Sequence, residues 1–168
     1  STGFRGIAAR CNYLQPDRPD IQHAVKEVCR LMSRPTQRAW DMLIRIGRYL
    51  KGKPRLVWRF DWQAPVDIVD IHSDANWAGC RRTRKSTSGE TIAIGAHLNG
   101  SYSKNQAIVA KSSGKSELYA AVRASAEGLG ILTLLADFGH KDCRARVGMD
   151  ANAAMGIVQR LSLIHISE

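Results

Sequence analysis

From residue 21 onward the apolar positions repeat first at helical and then at strand spacing. Ile21, Ala24, Val25, Val28, Leu31 and Met32 recur every three or four residues after Pro19, and Ala39, Leu43, Ile46 and Leu50 do so after Thr36, which is placed to cap. Two amphipathic helices are predicted, the second stopped by Gly52 and Pro54. The period then shortens to two. RLVWRF (55–60), VDIVDIHS (66–73), ETIAIGAHL (90–98) and GSYSKNQAIVA (100–110) have the alternation, β-branching and turn punctuation of strands close enough in sequence to form hairpins. A long helix is predicted over 113–138, with Leu118, Val122, Ser125, Leu129, Leu132 and Leu135 as its apolar stripe and Gly139 at its end. ARVGM (145–149) reads as a short buried strand ending at Asp150, and ANAAMGIVQR (151–160) as a further helix. Three antiparallel strands, a helix, a parallel strand and a helix specify an α/β layered domain.

A chain of 168 residues, 44% hydrophobic, holds one core of ordinary size and a small appendage. Lys and Arg number 25 against 15 Asp and Glu, a net charge of +10, and the basic residues are spread along the whole length. That balance favours a polyanionic partner, nucleic acid before an anionic membrane. No apolar run approaches membrane-spanning length and the first residues lack the layout of a secretory signal, so the expectation is a soluble intracellular chain without a membrane partner. The opening STGF, without Met, suggests a piece of something longer. Cys11, Cys29, Cys80 and Cys143 lie far apart with no Cys-x-x-Cys pair, and the five histidines are scattered. Free thiols are expected, and no zinc site of sequence-local ligands.

Candidate chemistry starts from AKSSGKSELYA (110–120). Gly114-Lys115-Ser116 looks like the end of a phosphate-binding loop, but position 109, where the first glycine would stand, is Val109. That leaves Glu117. Asp74 ends the first core strand, Glu117 sits in the first turn of the long helix, and Asp150 ends the late strand. Each has an ordinary role open to it: Asp74 in a turn, Glu117 at the positive end of a helix dipole, Asp150 as an N-cap. Together, in a basic chain, they form a hard oxygen set suited to Mg²⁺, and two such ions about 3.5–4 Å apart suit phosphodiester hydrolysis. Arg81, Arg82, Arg84 and Lys85 follow Asp74 in a hairpin loop, as phosphate contacts or as a solvated tip, and Lys104 and Lys115 join them as candidates. Trp77 and Tyr119 read as core, and His72, on the strand face of Asp74, as a structural histidine.

VDIHSDANWAGCRRTRKSTSG resembles the copia-type retrotransposon segment whose usual form is close to YSDADWAGCxxTRRSTSG; SYSKNQAIVAKSSGKSELYA is similar to SWxSKKQxxVALSSxEAEYxA, and VGMDANAAMGI to a DNxSAI stretch. Upstream, RPDIQHAVKEVCRLMSRPT and IGRYLKGKP resemble the helical stretch that joins the polymerase to the ribonuclease H domain. The resemblance implies a ribonuclease H-like α/β fold. Residues 1–57 would be the helical end of the reverse transcriptase, 58–160 the ribonuclease H-like domain, incomplete at its end, and 161–168 an atypical tail. It implies Asp74, Glu117 and Asp150 as catalytic metal ligands for two Mg²⁺ ions, with Mn²⁺ as the substitute. The reaction would be endonucleolytic hydrolysis of the RNA strand of an RNA–DNA hybrid. The rest of the reverse transcriptase and Pol polyprotein would be partners, in the cytoplasm, in a virus-like particle, or in the nucleus. The alternative is an inactive relic that only binds nucleic acid. Asp67 and Asp70 are not the family's polymerase aspartates. Lys115 stands where the family often has glutamate. After Arg160 the family continues to a helix that supplies a fourth acid, whereas LSLIHISE ends this chain, with Glu168 as the remaining acid.

Overall fold

The computed structural model of the protein describes residues 2–150 and Gly156, which is helical. The remainder of the expected helix over 151–160, the tail 161–168 and Glu168 lie outside the described residues. The chain divides between Phe60 and Asp61 into two compact units.

The first unit is helical: α1 (Thr2–Leu14), a 3-10 turn (Pro19–Ile21), α2 (Gln22–Cys29) and α3 (Gln37–Gly52). α1 was not among the expected helices, because Gly3 and Gly6 dilute its pattern; Phe4, Ala8 and Cys11, at i, i+4 and i+7, nevertheless form its buried face. These pack with Ile21, Val25, Val28, Ala39, Leu43 and Ile46. The Phe4 ring meets Trp40 edge-on, 5.3 Å between centroids. Thr36 caps α3 as expected, its hydroxyl accepting from the Ala39 N–H at 3.3 Å, a contact worth about 1 kcal/mol. RLVWRF forms no strand. It has the alternation but no neighbouring strand to pair with, and the Trp58 and Phe60 rings stack on each other at 6.2 Å instead.

The second unit is the α/β layer. Strands β1 (Ile68–Asn76), β2 (Thr87–Ile94), β3 (His97–Asn105) and β4 (Arg144–Gly148) form one sheet in the order β3-β2-β1-β4, and α4 (Ser113–Asp137) joins β3 to β4. β1–β2 and β2–β3 are antiparallel and β4 runs parallel to β1, the mixed sheet of a ribonuclease H-like fold. Arg144 and Arg146 on β4 pair with Asp67 and Asp70, so both aspartates serve the β1–β4 edge.

Two details of the strands differ from expectation. The β2–β3 turn falls at Gly95, whose φ of 59° suits glycine, and not at Asn99, which separated the two expected strands. The Gln63 side chain holds that turn, accepting from the Ala96 N–H and donating to the Ile94 carbonyl, each at 2.9 Å. Asn99 instead lies at a bulge, where Ile92 faces Gly100 and Ala93 faces Leu98.

The face that α4 presents to the sheet also differs. Val122 and Leu129 of the expected stripe are 61% and 63% exposed. The buried face is built of small residues, Ala120, Ala121, Ala124 and Gly128, and only near its end do Ile131, Leu132 and Leu135 join Val69, Ile71 and Ile92. A Cβ at Gly128 would come within 2.3 Å of the Ile71 Cδ1, so the missing side chain is what permits this close approach. By length and composition α4 could cross a membrane, contrary to the expectation that no stretch could; its packing on the sheet accounts for part of that apolarity.

Candidate functional site

β1 alternates strictly near its end, burying Ile71, Ser73 and Ala75 and exposing His72, Asp74 and Asn76. The parallel register pairs His72 with Gly148, so two residues further along each strand path Asp150 comes abreast of Asp74. α4 begins at the same end: Ser112 caps it, its hydroxyl accepting from the Lys115 N–H at 3.3 Å, and Glu117 lies buried in the first turns. One carboxylate oxygen each from Asp74, Glu117 and Asp150 lies within 4.8 Å of the other two.

The first turn of α4 is fastened by a residue that the sequence did not single out. The buried Gln106 amide donates to the Ser88 hydroxyl at 3.0 Å and to the Ser116 carbonyl at 2.8 Å, tying β2 to the residue before Glu117. Its signal was available, as a polar residue ending a strand within SYSKNQ, but polarity alone does not announce burial.

Electrostatically the three acids repel. Burial raises the Glu117 carboxyl above the ordinary glutamate value, and the charges of Asp74 and Asp150 add to this; a backbone hydrogen bond involving Ala75 works against it. Its Oε2 is buried without a hydrogen-bond partner. An orphaned acceptor among converging hard oxygens fits a divalent cation such as Mg²⁺. Three oxygens each about 2.1 Å from one ion lie mutually no more than about 3.6 Å apart, so three separated by up to 4.8 Å would draw together by about an ångström on a shared cation.

The basic candidates separate by their contacts. Arg81, Arg82 and Arg84 are exposed in the β1–β2 loop, with no ion pair among the described residues. Lys85 instead donates to the Ala107 carbonyl. Trp77, expected in the core, is 47% exposed, and its indole N–H donates to the Ala110 carbonyl at 3.0 Å. These two bonds fasten the loop to the segment leading into α4. Tyr119, also expected in the core, is 39% exposed. Lys104 is exposed on β3, 5.8 Å from the Tyr102 ring centre, and Lys115 is exposed on the first turn of α4. His72 is exposed on the Asp74 face and not enclosed as a structural histidine. All four cysteines are free.

No protein-family model matches the chain, and no solved structure does. Among curated sequences, an uncharacterized mitochondrial protein of Arabidopsis thaliana is 36% identical over 124 residues, 74% of this chain and 51% of that protein. The retrovirus-related Pol polyproteins from the Arabidopsis transposons RE2 and RE1 are 34% and 35% identical over 140 residues, 82% of this chain. The match spans about half of the mitochondrial protein and 9% of each polyprotein. Over most of its own length the chain is thus homologous to copia-like, retrovirus-related Pol polyproteins of transposons, and its sheet is of the ribonuclease H-like kind.

Proposed function

We propose that this chain is the ribonuclease H part of a retrotransposon reverse transcriptase and hydrolyses the RNA strand of an RNA–DNA hybrid. The observation that carries the reading is the convergence of Asp74, Glu117 and Asp150 from a strand, a helix and a second strand end within 4.8 Å. These residues would hold divalent cations, two Mg²⁺ or Mn²⁺ in its place, which when bound stabilise charge on the attacking and leaving oxygens of a phosphodiester. Glu117 contributes a desolvated carboxylate whose position is fixed through Gln106 and the Ser112 cap. Arg81, Arg82 and Arg84 would take backbone phosphates, contacts that orient a duplex without reading its sequence. Recognition of RNA would rest on the 2′-hydroxyl and groove shape.

The test is hydrolysis of an end-labelled hybrid by the chain with Mg²⁺ or with EDTA. Cleavage is expected only with the metal, and Asp74→Asn, Glu117→Gln and Asp150→Asn should each lower it by about 100-fold or more, since each removes a charged ligand. Cleavage that survives all three substitutions would refute the site. Hybrid binding without any cleavage would instead identify a binding-only relic.

A further inference from the structure

The net charge resides almost wholly in the helical unit. Residues 1–60 hold 13 Lys and Arg against four Asp and Glu, a balance of +9, whereas residues 61–168 hold 12 against 11, a balance of +1. Basic residues occur along the whole length, as the sequence showed, but they are denser in the first 60 residues, where acids are scarcer. In the helical unit even these few acids are largely spent on local pairs: Asp20 with Arg18 at 2.8 Å, and Glu27 with Lys26 and Arg30 at 3.0 and 2.9 Å.

The remaining charge gathers on α3. Its buried face is Ala39, Leu43 and Ile46, and the side away from them presents Arg38, Arg45 and Arg48, all exposed and without an ion pair among the described residues. At 1.5 Å per residue Arg45 lies about 10.5 Å beyond Arg38 along the axis and Arg48 about 4.5 Å further, all within roughly 80° of the helix circumference. Asp41 shares this face, where it accepts from the Gln37 amide at 3.2 Å. Arg34 before the helix and Lys51, Lys53 and Arg55 at its end are exposed too and lengthen the basic strip.

We propose that this face of α3 docks on the phosphate backbone of a nucleic-acid duplex, so that the helical unit supplies affinity and the nearly neutral α/β unit supplies the chemistry. The proposal rests on the nucleic-acid reading above. A duplex carries one charge per about 1.7 Å of axis, a density that rewards a row of guanidiniums able to grip phosphate with two N–H groups each. A lipid surface fits less well. An interfacial helix inserts its apolar face, and the apolar face of α3 is already consumed in its own core.

The experiment is anisotropy of a labelled RNA–DNA hybrid with the whole chain in EDTA, between about 50 and 200 mM salt. Each phosphate contact contributes roughly 0.9 to the slope of log affinity against log salt, so Arg38→Glu, Arg45→Glu and Arg48→Glu together should flatten it by about two to three. The triple Lys variant at the same positions should keep the slope, and circular dichroism should show both variants folded. An unchanged slope in the Glu variant, or the same loss in the folded Lys variant, would overturn the proposal, as would a loss seen only on phosphatidylserine vesicles. Hydrolysis measured in parallel separates the two ideas. Steep binding without cutting refutes the nuclease and leaves this surface standing; cutting with a slope indifferent to α3 does the reverse.

Discussion

Glu90 and Glu117 are both buried carboxyl groups in the α/β unit, at 4% and 7% exposure, but they do different things. Glu90 faces Tyr102 across the β2–β3 ladder, and the Arg123 guanidinium lies 4.6 Å from the Tyr102 ring centre. Burial raises the Glu90 carboxyl above its ordinary value and the charge of Glu127 adds to this, while Tyr102 and Arg123 oppose it. A folded value above the unfolded one means that the folded chain keeps a proton that the unfolded chain has released. The stability linked to it is therefore full below the unfolded value, about 4.3, and declines as pH rises toward the folded value. Glu117 is shifted in the same direction, so the two share that decline. Glu90→Gln should shrink the decline and raise the melting temperature at neutral pH, by about 2–4 °C for each kcal/mol recovered, without loss of cleavage. Melting curves across pH that superimpose on those of the parent would assign the decline elsewhere. At this scale the sequence singled out Asp74, Glu117 and Asp150 as lying near element ends, and the fold brings them together. It did not disclose that Lys85 and Trp77 are engaged by the carbonyls of Ala107 and Ala110, partners more than 20 residues away.

Two glycines in α4 make opposite predictions at the scale of one element. Gly130 is exposed and a Cβ there would meet nothing within 4 Å, so Gly130→Ala should stabilise by up to about 1 kcal/mol through helix propensity alone. Gly128 is buried against Ile71, itself fully enclosed, and Gly128→Val should destabilise by about 2 kcal/mol through overpacking. Chemical denaturation of both variants checks the pair, and equal effects would mean that α4 does not approach β1 as described. The element itself was legible, from its start at Ser113 to Gly139 after its end. Its buried face was not. Large apolar residues mark a stripe in the sequence, but a sheet that is approached closely selects small ones, and Gly and Ala carry little hydrophobic signal. RLVWRF failed for a related reason, since alternation records a capacity for pairing and not the presence of a partner.

For the whole molecule the proposed cation site predicts a coupling between metal and stability. A cation that binds the folded chain and not the unfolded one raises the melting temperature by mass action. Added Mg²⁺ should therefore raise that of the parent chain and leave that of Asp74→Asn nearly unchanged. Without metal, Asp74→Asn should melt higher than the parent, because it removes a charge that disfavours ionised Glu117. An equal response to Mg²⁺ in both would place the cation elsewhere.

Taken alone, the order of residues determined the main helices after residue 20, the antiparallel strands and the late parallel one, and the identity of the acids at their ends, because periodicity, caps and turn residues act over a few positions. Kinship to the copia-type polyproteins was legible in the same way, from motifs in order. Only the tertiary structure decided the rest. It set the β1–β4 register that brings Asp150 abreast of Asp74, the close seat of α4 on Gly128, and the Gln106 bonds that hold the turn bearing Glu117. It also separated the charge, since a net +10 for the chain becomes a +9 unit and a +1 unit once the fold shows where one body ends. The physical reason is common to all four. Register, close packing, buried hydrogen bonds and surface potential depend on which distant residues meet, and local sequence propensities do not contain that.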